Sequence, residues 1–295
     1  MTTKFRGAGT ALVTPFKRDG SLDEGGLTRF VEWQIAEGID FVVPCGTTGE
    51  NPTLSHGEYR RVVELTVLAA NGRVPVLAGA GSNATDKAVE LAEMCLDLGA
   101  DGILTITPYY NKPTPDGLLR HFGAQANAVE KKKSGFPMVM YNVPGRTGVN
   151  MTAATTLRMA REIPNIVGVK EASANMEQIL DILRLRAPGF VVLSGEDSWT
   201  LPLLGVGADG VISVASNEVP RLMRQLVATR DVAIHNRLLP LLVGNFIESN
   251  PIPVKAALQM MGIIESDTVR SPLAPLSPEN RTRLEEILRE VGLLS

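Results

Sequence analysis

Short apolar runs rich in β-branched residues alternate along the chain with longer segments whose apolar positions recur at helical spacing. The runs are Thr10 to Thr14, Phe41 to Pro44, Val74 to Ala78, Gly102 to Ile106, Met138 to Tyr141, Ile166 to Val169, Val191 to Leu193 and Gly210 to Val214, which predicts eight strands. Amphipathic stretches such as Leu27 to Ala36, Glu58 to Ala69, Ala88 to Leu98 and Met176 to Leu185 lie between them, each able to cover a sheet. Several strands are entered alike: Gly38-Ile39-Asp40-Phe41, Gly99-Ala100-Asp101-Gly102 and Gly207-Ala208-Asp209-Gly210. In each, the glycine can end a helix in the left-handed conformation and the aspartate can hold the turn before the strand.

Eight strand–helix units within about 230 residues match a (β/α)8 TIM barrel, whose parallel strands are buried on both faces and read as continuous apolar runs. A doubly wound open sheet is the rival; it would need fewer strands and a phosphate-binding glycine turn after the first. Beyond Arg230 the strand pattern stops, and helical stretches follow at Val232 to Ile247, Pro253 to Met261 and Pro278 to Val291. Ser277 is the expected N-cap of the last, with Pro278 at its first position. The domain reading is a catalytic barrel over residues 1–230 and a helical appendage over 231–295.

Composition narrows the function. The chain has 295 residues, 44% hydrophobic and 21% charged, with a net charge of −3, which argues against a nucleic-acid partner. Lys131-Lys132-Lys133 is the only basic run and reads as a solvated helix end. Cys45 and Cys95 are too few for a disulfide framework, so a reducing cytoplasm is expected. Met1-Thr2-Thr3-Lys4 leads into structure without an apolar signal core, and no stretch suits a bilayer span; no membrane association is expected. His56, His121 and His235 lie far apart without metal-ligand spacing, so no metal site is expected. Gly79-Ala80-Gly81-Ser82-Asn83-Ala84 follows a strand as a dinucleotide fingerprint does, yet belongs to the third unit and fits an ordinary βα turn.

In a barrel the chemistry sits at the C-terminal strand ends. There the chain offers Gly46-Thr47-Thr48-Gly49-Glu50, then Thr107-Pro108-Tyr109-Tyr110-Asn111, then Tyr141-Asn142-Val143-Pro144-Gly145-Arg146-Thr147, and Lys170 closing Ile166-Val167-Gly168-Val169. A lysine delivered into an apolar interior loses its charge readily and becomes a nucleophile for carbonyl carbon. Paired with an acid, or reaching solvent, it would be merely structural. Hydroxyls and N–H groups of a glycine-flanked turn can hold a carboxylate, a tyrosine can move protons, and an arginine can grip a second carboxylate. Three tyrosines, an arginine and a lysine are expected around one rim, with Glu50 and Glu171 almost its only carboxylates. Such a rim suits a small anionic carbonyl compound.

These motifs, with the opening Gly9-Thr10-Ala11-Leu12-Val13-Thr14-Pro15-Phe16 and Gly168-Val169-Lys170-Glu171, resemble the dihydrodipicolinate synthase and N-acetylneuraminate lyase family over nearly the whole chain. The resemblance implies a class I aldolase in which Lys170 forms a Schiff base with pyruvate, without metal or redox cofactor. It makes Tyr141 the proton relay beside the lysine, coupled through Thr47 to Tyr110 of a neighbouring subunit in a homotetramer built from two dimers. Thr47 and Thr48 would bind the pyruvate carboxylate, with the backbone at Gly195 and Ile212 facing the substrate.

An arginine at the Arg146 position points to the synthase branch, with aspartate 4-semialdehyde as acceptor and 4-hydroxy-tetrahydrodipicolinate, a precursor of diaminopimelate and lysine, as product. Another pyruvate-dependent aldolase or lyase acting on keto-deoxy-sugar acids or N-acetylneuraminate, and a non-catalytic barrel binding an oxo acid, are the alternatives. By the same resemblance, feedback by lysine in inhibitable bacterial members uses a subunit-interface site at positions matching Asn51, Pro52, His56, Tyr59, Asn83, Lys87 and Tyr109, with an acid where this chain has Lys87 and a histidine where it has Tyr59. An ammonium at Lys87 would repel the α-amino group of lysine. Inhibition by lysine is therefore expected to be weak or absent; an inhibition curve with half-loss of activity at submillimolar lysine would refute this.

Overall fold

Eight parallel strands form in the predicted order, β1 (Gly7–Ala11), β2 (Phe41–Val43), β3 (Leu77–Gly79), β4 (Gly102–Ile106), β5 (Met138–Asn142), β6 (Ile166–Glu171), β7 (Val191–Ser194) and β8 (Gly210–Ser213). They belong to a computed structural model that describes residues 3–294, so Met1, Thr2 and Ser295 lie outside the described residues. The hydrogen-bonded order is β2-β1-β8-β7-β6-β5-β4-β3. A parallel bridge between Val42 and Val76 joins the two ends, supported by Val42 N donating to Pro75 O at 3.0 Å and Gly79 N to Pro44 O at 2.9 Å. Every strand thus lies beside its sequence neighbours, and the sheet closes into a (β/α)8 barrel instead of opening about a switch point.

The covering helices are α1 (Glu24–Ala36), α2 (His56–Ala70), α3 (Thr85–Asp97), α4 (Pro115–Lys132), the single turn α5 (Pro144–Thr147), α6 (Ala153–Glu162), α7 (Met176–Leu185), α8 (Thr200–Gly205) and α9 (Pro220–Thr229). After them come α10 (Val232–Gly244), α11 (Ile252–Met260) and α12 (Pro278–Glu290). As expected, α12 is capped by the Ser277 hydroxyl, which accepts from Asn280 N, with Pro278 opening the helix. No helix of the described residues is long and apolar enough to cross a membrane.

Period-two alternation divides the strand residues between two apolar layers. Val43, Leu104, Tyr141, Leu193 and Ile212 fill the barrel interior with Phe5, Phe41 and Leu77. Their immediate neighbours Val42, Ile103, Met140, Val192 and Val211 pack outward with the helices. The three aspartates of the repeated turns act across strands. Asp40, Asp101 and Asp209 accept from the backbone N–H of Ala8, Val76 and Val192 at 2.9, 3.0 and 2.9 Å. Each also donates its own N–H to the carbonyl of that same residue. The preceding Gly38, Gly99 and Gly207 have φ of +89°, +88° and +104°, the left-handed helix ends that the pattern requires.

Two strands begin and end elsewhere than hydrophobicity predicts. β1 stops at Ala11 because Val13 N turns to the Asn217 side chain at 3.0 Å, although Leu12, Val13 and Phe16 stay buried. β3 starts at Leu77 because Pro75 has no N–H to give the ladder and Val76 N donates to the Asp101 carboxylate instead.

Burial after the last strand reaches an ion pair that patterning does not announce. Lys255 of α11 is fully buried, its Nζ 2.7 Å from Glu50 Oε1 and 3.0 Å from Thr14 O, over the Phe16 ring at 4.2 Å. The other Glu50 oxygen accepts from Arg270 N at 2.9 Å. Lys255→Met leaves the Glu50 carboxylate buried without its cation, and urea unfolding is expected to show a loss of about 3–5 kcal/mol. Adding Glu50→Gln should recover part of that loss; no loss in the single variant would show that the pair does not brace the fold.

Candidate active site

Strand register decides which side chains meet at the mouth of the barrel. Tyr141 is paired with Lys170 across β5 and β6, and Asn142 with Glu171. Val169 packs outward with the helices, so Lys170 points inward and Glu171 outward again. Glu171 is held outside by Asn142 Nδ2 at 3.1 Å and by Ser173 N at 2.8 Å. Glu50, the other carboxylate expected on the rim, is consumed by Lys255. Both expectations are thus corrected by one cause: each of these carboxylates has a better partner behind the rim.

Lys170 is 7% exposed and makes no salt bridge among the described residues. Its Nζ lies 4.3 Å from the centroid of the Tyr141 ring. Burial, aided by the positive charge of Arg146, lowers its pKa to about 8 against the opposing pull of Asp197 and Glu196. Burial pushes the Tyr141 phenol up to about 12, although Arg146 and a hydrogen bond with Thr47 work the other way. A neutral phenol therefore stands beside an amine that sheds its proton near neutral pH.

The turn after β2 supplies the hydroxyls. Cys45 and Glu50 take left-handed φ of 56° and 53° on either side of Gly46-Thr47-Thr48-Gly49, a strained backbone for residues with a Cβ. Its braces come from elsewhere in the chain. Thr14 Oγ1 donates to Gly49 O at 2.7 Å, Asn250 Nδ2 donates to Thr48 Oγ1 at 2.9 Å, and Lys255 holds Glu50. The backbone N–H groups of Thr47 and Thr48 make no hydrogen bond among the described residues. Gly195 has no room for a side chain: a Cβ there would lie 2.7 Å from Ala172 Cβ and 3.2 Å from Lys170 Cε. Asp197 is buried beside it, and its Oδ2 accepts from Val214 N and Ala215 N at 2.9 and 2.8 Å, fixing the turn after β8.

Together Thr47, Thr48, Tyr141, Arg146, Lys170, Gly195, Glu196 and Ile212 line one cavity of about 70 Å³. Glu196 and Asn250 also line this cavity, with Asp197 buried behind Glu196, and none of the three is among the residues expected from sequence. The rule that finds catalytic residues just after a strand applies to Glu196 and Asp197 as well as to Gly195, while Asn250 comes from far along the chain. Against Thr47 and Tyr141 a second cavity of about 470 Å³ gathers Asn51, Pro52, His56, Tyr59, Asn83, Lys87 and Tyr109. Tyr59 is its wall, buried, with its hydroxyl donating to Gly79 O at 2.6 Å. Tyr110 is 89% exposed and lines neither cavity, so of the three tyrosines expected on the rim Tyr109 and Tyr141 face this region and Tyr110 turns away. A further cavity of about 900 Å³ lies by Pro137 and Asn165 at the opposite, N-terminal mouth, away from Lys170. No group of three or more His, Cys, Asp or Glu among the described residues could hold a metal ion.

Residues 4–291 match the model of the Dihydrodipicolinate synthetase family. The chain belongs to this family. A relative from Koribacter versatilis named 4-hydroxy-tetrahydrodipicolinate synthase is 53% identical, over 99% of this chain and 97% of its own. A dihydrodipicolinate synthase from Acinetobacter baumannii, solved with pyruvate, superposes with a TM-score of 0.93 at 41% identity, covering 98% of this chain and 99% of that one. A monomeric variant of a dihydrodipicolinate synthase also superposes with a TM-score of 0.93, at 42% identity over 99% of this chain and 98% of that one.

Proposed function

We propose that the protein catalyses the Schiff-base condensation of pyruvate with aspartate 4-semialdehyde to 4-hydroxy-tetrahydrodipicolinate, the reaction named for its relatives. The observation that carries this is the buried, unpaired Lys170 amine lying over Tyr141 in a cavity edged by Thr47, Thr48 and Arg146. The amine attacks the ketone carbon of pyruvate, and the carbinolamine loses water to give an imine. Loss of a methyl proton gives the enamine, whose carbon attacks the aldehyde. The amino group of the adduct then displaces Lys170, closing the ring and freeing the enzyme. No step needs a metal or redox cofactor.

Tyr141 carries the protons, as a phenol that stays neutral and is hydrogen-bonded with Thr47. The unbonded N–H groups and hydroxyls of Thr47 and Thr48 receive the pyruvate carboxylate, and Arg146 receives that of the acceptor. The exposure of Tyr110 fits donation to a neighbouring subunit of a homotetramer. Free, buried Cys45 and Cys95 fit a reducing cytoplasm. Lys87, facing the larger cavity, belongs to a site with little affinity for lysine.

Borohydride trapping with pyruvate, read by mass spectrometry, should place one adduct on Lys170, and a coupled assay with aspartate semialdehyde should show turnover. Lys170→Ala should abolish both; full-rate condensation by that variant would sink the proposal. Trapping should also depend on pH. The free amine is the reactive form, so the rate of imine formation should rise about tenfold per pH unit well below 8 and level off above it. A profile still climbing at about pH 10 would mark an ordinary, solvated lysine.

A further inference from the structure

Glu196 is the one carboxylate on the wall of the catalytic cavity that nothing in the chain employs. Its backbone N–H donates to Ser194 Oγ at 3.2 Å, while its side chain makes no hydrogen bond or ion pair among the described residues. Asp197 is spent on two backbone N–H groups, Glu171 on Asn142 and Ser173, and Glu50 on Lys255. Arg146, on the same cavity wall, is likewise without an ion pair. The cavity thus presents one free guanidinium and one free carboxylate, together with the Lys170 amine. Its position follows from the backbone: Gly195 lets the chain pass against Lys170 Cε, and the next side chain enters the site.

An unpaired, half-buried carboxylate pays for its desolvation only when a cation arrives. Burial and the adjacent Asp197 both raise the Glu196 pKa, whereas Lys170 and Arg146 lower it. Once Lys170 has become a neutral enamine, its charge no longer compensates Glu196. A substrate carrying a cation of its own would.

We infer that Glu196 is a specificity-determining residue that binds the α-ammonium of the acceptor aldehyde, so that Arg146 and Glu196 form a clamp for an amino-acid zwitterion. This rests on the Schiff-base reading above and adds to it why the acceptor should be an α-amino acid. An aldehyde bearing the carboxylate but not the amine satisfies Arg146 and leaves Glu196 buried without a partner. A site built for a polar group rejects the analogue that lacks it more strongly than it rejects a change of size.

The test compares aspartate 4-semialdehyde with succinate semialdehyde, the same chain without the α-amino group. The pyruvate adduct is formed on the enzyme first, either acceptor is added, and the adduct remaining on Lys170 is trapped with borohydride at timed intervals and weighed by mass spectrometry. The parent chain should prefer the amino acid. In Glu196→Gln the ratio of the two specificity constants should fall about ten- to a hundredfold, whatever happens to the overall rate, because a charge-assisted hydrogen bond has been lost for one acceptor only. Glu196→Asp, which keeps the charge, should retain most of the preference. An unchanged ratio in Glu196→Gln, with both acceptors slowed alike, would mean that Glu196 only tunes Lys170 and would overturn the inference alone. Absence of any pyruvate adduct on the parent chain would overturn the Schiff-base reading, and this inference with it.

Discussion

An amine held in an apolar interior without a counter-ion is the constraint around which this molecule is arranged. Lys170 could relieve its desolvation by pairing with an acid, and three acids lie near enough in sequence or space to serve. The fold denies it each of them. Glu171 is turned outward by strand alternation, Asp197 is committed to backbone N–H groups, and Glu196 stands in the same cavity without bonding to it. What the amine meets instead is the face of Tyr141. The interaction with the ring is favourable to the cation but far weaker than an ion pair, so burial prevails and the proton leaves near neutral pH.

That arrangement requires a rigid frame, because a mobile lysine would find water. The frame is assembled from distant segments. The turn that bears Thr47 and Thr48 is strained at both ends, and its strain is offset by a buried ion pair to α11 and a hydrogen bond donated by the Asn250 side chain. The segment after the barrel therefore does more than cover it: Asn250 holds the Thr48 hydroxyl, and Lys255 of α11 holds the Glu50 that ends the turn. At the other mouth the aspartates of the repeated turns tie each strand entry to the neighbouring strand. Strand ends at both mouths are fixed by polar bonds, and the apolar interior between them by packing.

Much of this was legible in the chain itself. Eight apolar runs with helical segments between them dictated the parallel barrel, since strands covered on both faces leave no alternation to read and each must be followed by a crossover helix. Lys170, Tyr141, Thr47, Thr48 and Arg146 could be named because a barrel delivers the residues just past its strands to one mouth. The ends of β1 and β3 were less legible, because Val13 N leaves the ladder for a side chain 204 residues away, Pro75 has no N–H to donate and Val76 N donates to Asp101.

Local sequence therefore determined the elements, their order and the mouth at which chemistry gathers, because periodicity and strand-end position are properties of neighbouring residues. Tertiary structure alone decided which charges are spent and which are free. Glu50 and Glu171 looked available and are not; Glu196 looked unremarkable and is unpaired; Tyr110 looked like part of the rim and turns away from its own site. A charge is neutralised or left free by whatever the folded chain places within a few ångströms of it, and Lys255 and Asn250 reach the Thr47 turn from some 200 residues away in sequence.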